Sequence, residues 1–384
     1  MATGKALDGK PYAGNPHVRF DEGEVASAAT SRRGSLLYIG THSIPVIVDC
    51  FLKNDAAASS MPYWINAYAQ IKDTLTKPHK GRHKERWDLL DKYGYYPFDE
   101  IKGESISRTM ECAYDDWCAG VMAEKLGFAD DAAFFFKRSE NWRNVFDKSI
   151  GLVRGKDARG RWRNPYNPYA LGHGDDLAND FTEGNAFQYT WHVMQNPHGL
   201  VEAMGGRAAF IKKLDLLFTQ PETVDGAGCV LDVTGLIGQY VHGNEPSHHV
   251  IYFYPQAGHP EKAAARIREV FDKFYLPRPD GLCGNDDCGQ MSAWYLFSAM
   301  GFYPFNPCGG EYILGAPQVP KVVLSARSTC SMRSSTFTVV ARNLSKENKY
   351  VKSVTLNGKP VSDWKIRHSD ILAGGELVFE MYAQ

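Results

Sequence analysis

Long apolar runs and an excess of charge of one sign are both missing from the 384-residue sequence. Because no run of about 18 apolar residues occurs, we expect no membrane-spanning helix. Lys and Arg number 43 against 44 Asp and Glu, so the formal net charge at pH 7 is −1. Nucleic acids and anionic membranes are bound through net basic surfaces, so neither is expected as the main partner. Residues 1–21 show no apolar segment typical of a signal peptide.

Several common sequence signatures are missing as well. There is no Walker sequence, no Gly-x-Gly-x-x-Gly after a strand and no Gly-x-Ser-x-Gly elbow, which argues against phosphate-loop, dinucleotide-binding and serine-hydrolase classes. The chain has 8 Cys. The gaps between Cys112 and Cys118 and between Cys283 and Cys288 are too wide for a zinc ribbon. Buried or incidental thiols are the simpler interpretation, and disulfides stay open for an exported protein.

The composition that is present is typical of a folded globular protein, with 43% hydrophobic and 23% charged residues. The length is sufficient for two or three domains and a large core. Aromatic residues make up 12% of the chain. They pack in cores more often than they stack on sugar rings, although both uses are open here.

Periodic apolar residues predict a helical region over 36–312, after an irregular segment over 1–35. The clearest helix begins at Ser105, its predicted N-cap, and ends before Gly127, its predicted C-cap. A second helix over 130–146 completes a helical hairpin. Further helices are predicted over 45–53, 61–76, 184–195, 207–219, 246–257, 260–275 and 289–300.

The pattern changes over 313–384 to short runs rich in β-branched residues. Asn357-Gly358 is a typical hairpin turn. We therefore predict a mainly α fold, in which a helical domain is followed by a small antiparallel β domain. Long loops over 148–182 and 220–245 lie inside the helical domain, and such loops are more often functional than not. The predicted strands are 321–324, 336–340, 351–356 and 377–381.

Four acidic clusters lie in loops or at helix starts, at 114–117, 182–185, 243–246 and 284–287. Each one alone is explained by helix capping, because a helix N-terminus stabilises a carboxylate. Two of the clusters together present amide and carboxylate oxygens, which are the ligands that Ca²⁺ takes. Glycoside hydrolysis needs a protonated carboxyl group for the leaving oxygen and a carboxylate that activates water or attacks the sugar.

Histidines flank the third of these clusters. His242, His248 and His249 are more typical of packing or supporting groups than of zinc ligands, since no His-Glu-x-x-His pattern occurs. With the carboxylates beside them, they complete a plausible acid/base site.

Two long motifs and one short motif resemble glycoside hydrolase family 92. The long ones lie at 240–249 (Tyr-Val-His-Gly-Asn-Glu-Pro-Ser-His-His) and 284–295 (Gly-Asn-Asp-Asp-Cys-Gly-Gln-Met-Ser-Ala-Trp-Tyr), and the short one at 301–304 (Gly-Phe-Tyr-Pro). The resemblance implies a calcium-dependent, inverting exo-α-mannosidase. It also implies an (α/α)6-toroid-like helical domain, which this chain need not contain in full. The implied substrate is an α-mannoside oligosaccharide or a glycoprotein glycan, of N-glycan or mannan type. Family members are usually exported to the periplasm or beyond. Supporting stretches lie at 40–45, 113–118 and 181–185.

The resemblance implies roles for individual residues. Glu183 matches the general acid and Asp287 the catalytic base, with Asp286 as a second candidate. Asn244, Glu245 and Asp287 match the calcium site. A metal ion would keep Asp287 ionised, whereas Glu183 without a cation can hold its proton. The expected substrate-binding residues are Asp116, Trp117, His242 and His248.

The sequence departs from the family pattern at three places. Asn285 stands where an acid is frequent, so Asp286 and Asp287 remain as candidate bases. Tyr240-Val241 replace the His-Glu that α-1,2-specific members often show, so a preference for α-1,2 bonds is not expected. The first family motif begins at Ile39, so the family's N-terminal β-sandwich is not expected within this chain.

Two other interpretations stay open. A truncated, catalytically silent fragment would at most bind sugar or calcium, and the expected absence of the β-sandwich favours it. A helical-toroid enzyme of another kind, such as a polysaccharide lyase, would keep the fold and change the chemistry. It would need a Tyr or His base facing a uronic acid, and the acidic clusters are not built for that.

Overall fold

The computed structural model describes residues 40–53, 60–77, 86–172, 179–225, 233–327 and 334–384. They belong to two compact units. The first comprises the described residues of 40–42, Ala69–Ser247 and Phe274–Met291, and the second those of Ser43–Tyr68, His248–Lys273 and Ser292–Gln384.

The predicted division into three domains stays a prediction. Its limit between 35 and 36, like the irregular segment before it, lies outside the described residues. The limit between 312 and 313 falls inside the strand Glu311–Leu314.

Helices are the main regular structure of the described residues before residue 300, as the sequence pattern predicts. The predicted helices 61–76, 207–219, 260–275 and 289–300 form with ends shifted by no more than two residues. The observed α-helices are Ser43–Lys53, Met61–Thr76, Trp87–Tyr93, Ser105–Leu126, Ala129–Arg138, Trp142–Val145, Ala186–Tyr189, Pro197–Ala203, Arg207–Leu217, Phe253–Gln256, Pro260–Phe274, Gln290–Met300 and His368–Ala373. Short 3₁₀ turns span Ser139–Asn141, Glu245–Ser247, Val250–Tyr252 and Pro307–Gly309.

Two of the predicted helices are wrong. The segment 184–195 contains only the short helix Ala186–Tyr189, and 246–257 contains two 3₁₀ turns and the short helix Phe253–Gln256. Residues 184–193 and 247–255 are buried almost without interruption. A segment that is buried on every side has no 3.6-residue period of burial that would distinguish a helix from irregular buried chain.

The hairpin of long helices is present, with changes at its ends. Gly127 caps Ser105–Leu126 in the left-handed conformation, at a φ of 84°, and its N–H donates to Ala123 O and Glu124 O, which confirms the predicted C-cap. The N-cap is Glu104 and not Ser105, because the Ser105 hydroxyl donates to Asp180 Oδ1 at 2.7 Å instead of capping the helix. The second helix ends at Arg138, short of the predicted residue 146.

The β region forms after residue 301, and the fold class is confirmed: a helical region followed by a small β region. Asn357 and Gly358 both have a positive φ, 50° and 77°, and join two antiparallel strands, as a type I′ hairpin requires. One pair, Gly375–Tyr382 beside Ser334–Arg342, is parallel. The five-stranded sheet has the order Lys359–Pro360, Tyr350–Leu356, Gly375–Tyr382, Ser334–Arg342 and Lys321–Arg327.

A smaller sheet and the apolar core complete the β region. The strands Lys365–Arg367, Glu311–Leu314 and Phe302–Asn306 pair in that order. Leu314, Phe337, Leu377 and Phe379 are fully buried between these sheets and form one cluster. Alternating inward residues of the strands therefore supply the core, as expected for sheets with one covered face.

Two short hairpins lie in the helical region, at Phe146–Asp147 with Leu152–Val153 and at Leu236–Ile237 with Tyr240–Val241. The second has a two-residue loop, Gly238-Gln239, in which Gly238 takes a φ of 62°. In the described ranges, no helix has both the length and the apolar character that crossing a membrane requires.

Candidate active site

The loops that carry two of the acidic clusters touch through glycines. A Cβ on Gly284 would lie 2.7 Å from Thr234 Oγ1 and 3.2 Å from Gly243 O. A Cβ on Gly243 would overlap the same Thr234 hydroxyl, and Gly243 N–H donates to Thr234 O at 3.0 Å. Only residues without a side chain permit this approach, so the glycines bring Asn244 and Asn285 into one place.

A hydrogen bond adds the third cluster to these two loops. Asn244 Nδ2 donates to the carbonyl oxygen of Glu183 at 2.9 Å. Asn244 is buried, and the bond is therefore shielded from competing water. The structure thus joins three segments far apart in the sequence, around Glu183, Asn244 and Asp287, which are the segments that the sequence analysis predicted to form one site.

The two candidate catalytic carboxylates stand on unusual backbone. Glu183 has a φ of 48°, Asp287 of 37° and the next residue, Cys288, of 55°. Left-handed backbone at residues with a side chain costs about 1–2 kcal/mol, and it persists where the surroundings impose it, often at functional sites. Backbone hydrogen bonds hold both residues in this conformation: Glu183 N–H donates to Gly172 O at 2.6 Å, and Gln290 N–H donates to Asp287 O at 3.0 Å.

Burial separates the amides of the site from its acids. Asn244 and Asn285 are buried, whereas Glu183, Glu245 and Asp287 are half-buried. Asp286 is half-buried as well. The amides thus belong to the framework, and the residues that carry the carboxylates are partly exposed, although Asp287 Oδ1 itself is buried.

The donor set fits a calcium ion. Asn244 uses its Nδ2 on Glu183, so its Oδ1 is the atom that it can offer to a cation. Glu245 and Asp287 add carboxylate oxygens. The buried Thr234 Oγ1 has no hydrogen-bond partner within the part of the chain that the structure describes, and it lies against both glycines of the site.

Among the described residues, no group of three or more His, Cys, Asp and Glu side chains is arranged to hold a metal ion. The amide and carboxylate oxygens of Asn244, Glu245 and Asp287 are of the ligand type that Ca²⁺ takes, and a calcium ion at this place stays a prediction.

His242 is enclosed by two tyrosines. Its Nδ1 lies 2.8 Å from Tyr240 OH and its Nε2 lies 2.8 Å from Tyr275 OH. Tyr275 OH donates to Met291 O, so its oxygen accepts from Nε2–H of His242. These contacts support a role in holding the loop before Asn244, and substrate binding by His242 stays a prediction.

Asp116 forms an ion pair inside the helical hairpin. Its side chain is fully buried, and Arg138 donates to both carboxylate oxygens, at 2.6 and 2.7 Å. Arg138 also donates to Leu75 O at 2.8 Å. Burial raises the pKa of Asp116 to about 6, against the opposing effect of Arg138. Both oxygens are engaged within the protein, so the observed contacts support a structural role, and the predicted substrate contact remains untested.

The other two predicted substrate-binding residues differ in access. Trp117 is half-buried and stacks on Tyr114 with ring centroids 6.3 Å apart. His248 belongs to the second compact unit, where it is buried and its carbonyl oxygen accepts from Trp294 Nε1 at 3.0 Å. Substrate binding by both residues remains a prediction.

Asp115 and Glu111 are buried acids beside Asp116 that were not predicted as site residues from the sequence. Asp115 accepts from Thr41 N–H at 2.6 Å, and Glu111, one helical turn earlier, lies 3.1 Å from His192 Nε2. Burial, and then the nearby Glu111, raise the pKa of Tyr189 well above its usual value, with Glu183 contributing in the same direction. Glu111 and Asp115 share a helix face by their i, i+4 spacing, which is the signal that could have identified them.

Comparison with known proteins agrees with these observations. The model of the glycosyl hydrolase family 92 catalytic domain matches residues 18–383. The chain therefore belongs to glycoside hydrolase family 92, and the resemblance seen in its motifs is confirmed.

Solved relatives show the same fold. A family GH92 α-mannosidase from Bacteroides thetaiotaomicron, in complex with mannoimidazole, is 34% identical with a TM-score of 0.80, over 95% of this chain and 48% of that one. An inverting family GH92 mannosidase from B. thetaiotaomicron VPI-5482 is 33% identical with a TM-score of 0.78, over 92% and 47%. An uncharacterized secreted glycosidase of Arthroderma benhamiae is 28% identical over 365 residues, 88% of this chain and 44% of its own. The chain spans about half the length of these relatives.

Proposed function

We propose that the protein is a calcium-dependent glycoside hydrolase that releases mannose from α-mannosides with inversion at the anomeric carbon. The observation that carries the proposal is the meeting of three acidic segments, through the Asn244–Glu183 hydrogen bond and the contact of Gly284 with Gly243. Family membership supports it, since two solved members are mannosidases by their titles.

The residues of the site divide the reaction between them. Glu183 gives its proton to the glycosidic oxygen as the bond from that oxygen to the anomeric carbon breaks. Asp287 takes a proton from a water molecule whose oxygen bonds to the anomeric carbon from the opposite side, which inverts the configuration. Asp286 is the second candidate for the base. The products are mannose and the shortened glycan, and the two carboxyl groups exchange protonation state with each other through solvent.

Asn244, Glu245 and Asp287 would hold the calcium ion. When bound, the ion supplies a positive charge that favours the ionised state of Asp287 and oxygen coordination for sugar hydroxyl groups. Asn244 connects this ligand set to Glu183 directly, because one amide contacts the acid's backbone with Nδ2 and can offer Oδ1 to the ion. Loss of calcium is therefore expected to disturb both halves of the site.

Removal of calcium is the first test. We expect a calcium-specific chelator to abolish mannose release from α-mannosides, and added Ca²⁺ to restore it. Without the ion, the site loses the charge that keeps Asp287 ionised and the coordination of the sugar hydroxyl groups. The measurement is released mannose, with circular dichroism in the same samples as the control for folding. Full activity of chelated, folded protein would disprove the calcium requirement.

A second candidate function, binding without hydrolysis, follows from the length of the relatives that this chain covers. Because the chain spans 48% of the first mannosidase compared, a fragment that binds mannosides or calcium without hydrolysis is the alternative. The same samples separate the two: calorimetric binding of mannose or Ca²⁺ with no mannose release, in protein shown to be folded, would support the binding fragment over the enzyme.

We also propose that the protein acts outside the cytoplasm on oligosaccharide or glycoprotein glycans, in N-glycan processing or mannan use. The support is the name of the Arthroderma benhamiae relative, which calls it secreted, and the mannosidase titles of the solved members. Mannose release from a purified N-glycan and from a yeast mannan, assayed side by side, tests the substrate.

A further inference from the structure

Gln239 lies at the centre of a buried amide network beside the acid, and no motif of the sequence analysis included it as a functional residue. It occupies the second position of the hairpin loop between Leu236–Ile237 and Tyr240–Val241, and its side chain is fully buried. Its Nε2 donates to Pro221 O at 2.6 Å and to Thr223 O at 2.9 Å. Every polar atom of its amide therefore has a protein partner, since its Oε1 accepts from Asn185.

The network reaches the segment that carries Glu183. Asn185 Nδ2 donates to Gln239 Oε1 at 2.8 Å, and Gln188 Nε2 donates to Gln239 O at 2.7 Å. Asn185 and Gln188 bond to each other as a capping box, with Asn185 N–H donating to Gln188 Oε1 at 2.6 Å. Two bonds from the hairpin thus hold the N-cap and the first turn of the helix Ala186–Tyr189, which begins three residues after Glu183.

We propose that Gln239 is a positioning residue that holds Glu183 in its left-handed backbone conformation and so aims its carboxyl group at the glycosidic oxygen. Glu183 has a φ of 48°, and such a conformation relaxes unless its neighbours fix it. On its N-terminal side, the contact is Glu183 N–H to Gly172 O. On its C-terminal side, the fixed point is Asn185, and Asn185 is fixed by Gln239.

The same hairpin continues into the metal-binding loop. Tyr240 comes directly after Gln239, and its hydroxyl group contacts Nδ1 of His242. Asn244, two residues after His242, donates a hydrogen bond to the carbonyl oxygen of Glu183. Gln239 therefore closes a ring of contacts in which the acid is held from two sides. The catalytic part of the proposal rests on the proposed function, because it assumes that Glu183 is the acid. The ring of hydrogen bonds through Gln239, Asn185 and Asn244 is a feature of the fold and does not depend on that function.

The test uses two substrates that differ in their need for an acid. A mannoside with a sugar leaving group needs protonation by Glu183, whereas an activated aryl mannoside such as 2,4-dinitrophenyl mannoside leaves without it. For Gln239→Met we expect kcat on the sugar substrate to fall by about 10-fold or more, and kcat on the aryl substrate to change by less than about 3-fold. Equal losses on both substrates would overturn the proposal, because loss of folded protein lowers both rates together.

Gln195→Met is the matched control. Gln195 is a glutamine of the same compact unit whose amide donates to Ser139 O at 3.5 Å, and among the described residues it has no hydrogen bond to the network. We expect Gln195→Met to leave the ratio of the two rates unchanged. A changed ratio in this control would show that the leaving-group effect does not depend on Gln239.

Hydrogen exchange tests the ring independently of activity. In Gln239→Met we expect faster exchange of the amides of 183 and 185, with those of 290 and 291 unchanged, since the latter bond to Asp287 O and Asp286 O. Unchanged exchange at 183 would overturn the proposal in folded protein.

If the wild-type chain releases no mannose, the proposed function fails, and the exchange result still decides the positioning role. Where Gln239→Met does not fold, Asn185→Ala, which removes the partner of Gln239 Oε1, is measured in the same way.

Discussion

Replacement of Glu183 by Gln is expected to lower the rate of mannose release by about 10²–10⁴-fold, because a glutamine amide has the shape of the acid but no proton to give to the leaving oxygen. The backbone bonds of residue 183, to Gly172 O and from Asn244 Nδ2, do not involve the carboxyl group. The fold and the binding of calcium should therefore be unchanged. The measurement is kcat on an α-mannoside with a sugar leaving group.

Asp287→Asn is expected to lower the rate by a similar factor, about 10² or more, on activated and unactivated substrates alike, because the base is needed to activate water whatever the leaving group. Glu183→Gln should recover much of its rate on the activated substrate. Asp286→Asn is the matched comparison for the base, since both acids are half-buried in the same loop. An Asp286→Asn loss larger than that of Asp287→Asn would reverse the two assignments.

The second large effect is on stability. Asp116→Asn is expected to reduce the free energy of unfolding by about 3 kcal/mol, since it removes the carboxylate that binds a buried guanidinium through two hydrogen bonds. Arg138 has 6% of its surface exposed, so water cannot replace the lost carboxylate. Its remaining partners are Leu75 O and the largely exposed Asp91, whose Oδ1 lies 3.7 Å from Nη1, and they compensate for only part of the loss. Urea unfolding followed by tryptophan fluorescence measures the change.

The double variant Asp116→Leu with Arg138→Met serves as the control for this prediction. It removes both charges and keeps apolar volume, and replacement of a buried pair in this way is often neutral or stabilising. We expect it to recover most of the stability lost in Asp116→Asn. A double variant that is less stable than the single one would mean that the pair itself, and not the unpaired charge, determines the effect.

Local sequence rules were sufficient where one short-range interaction decides the conformation. Gly127 ends its helix because only a residue without a Cβ takes the left-handed C-cap at no cost, and Asn357-Gly358 makes the turn because Asn tolerates and Gly freely adopts the positive φ that both positions need. The rules failed at 184–195 and 246–257, where burial on all sides removes the periodic signal. They also could not assign the parallel pairing of Gly375–Tyr382 with Ser334–Arg342, because strand patterns carry no direction.

The candidate site shows the same division. The motifs identified the acids of three loops, since Gly-acid sequences before helices can be read locally. They did not distinguish Asp115, which contacts Thr41 N–H, from Asp116, which pairs with Arg138. Adjacent residues on a helix point about 100° apart, so the choice depends on which neighbours each face meets.

By itself, the sequence determined the family, the helical and β regions and the residue types of the site, because these depend on composition, period and motif. Only the tertiary structure decided which groups meet. Thr234 between two glycines, Asn244 on Glu183 and Gln239 on Asn185 join residues that are distant in the chain. Such contacts are set by the packing of the whole fold, and no local pattern encodes the partner across that distance.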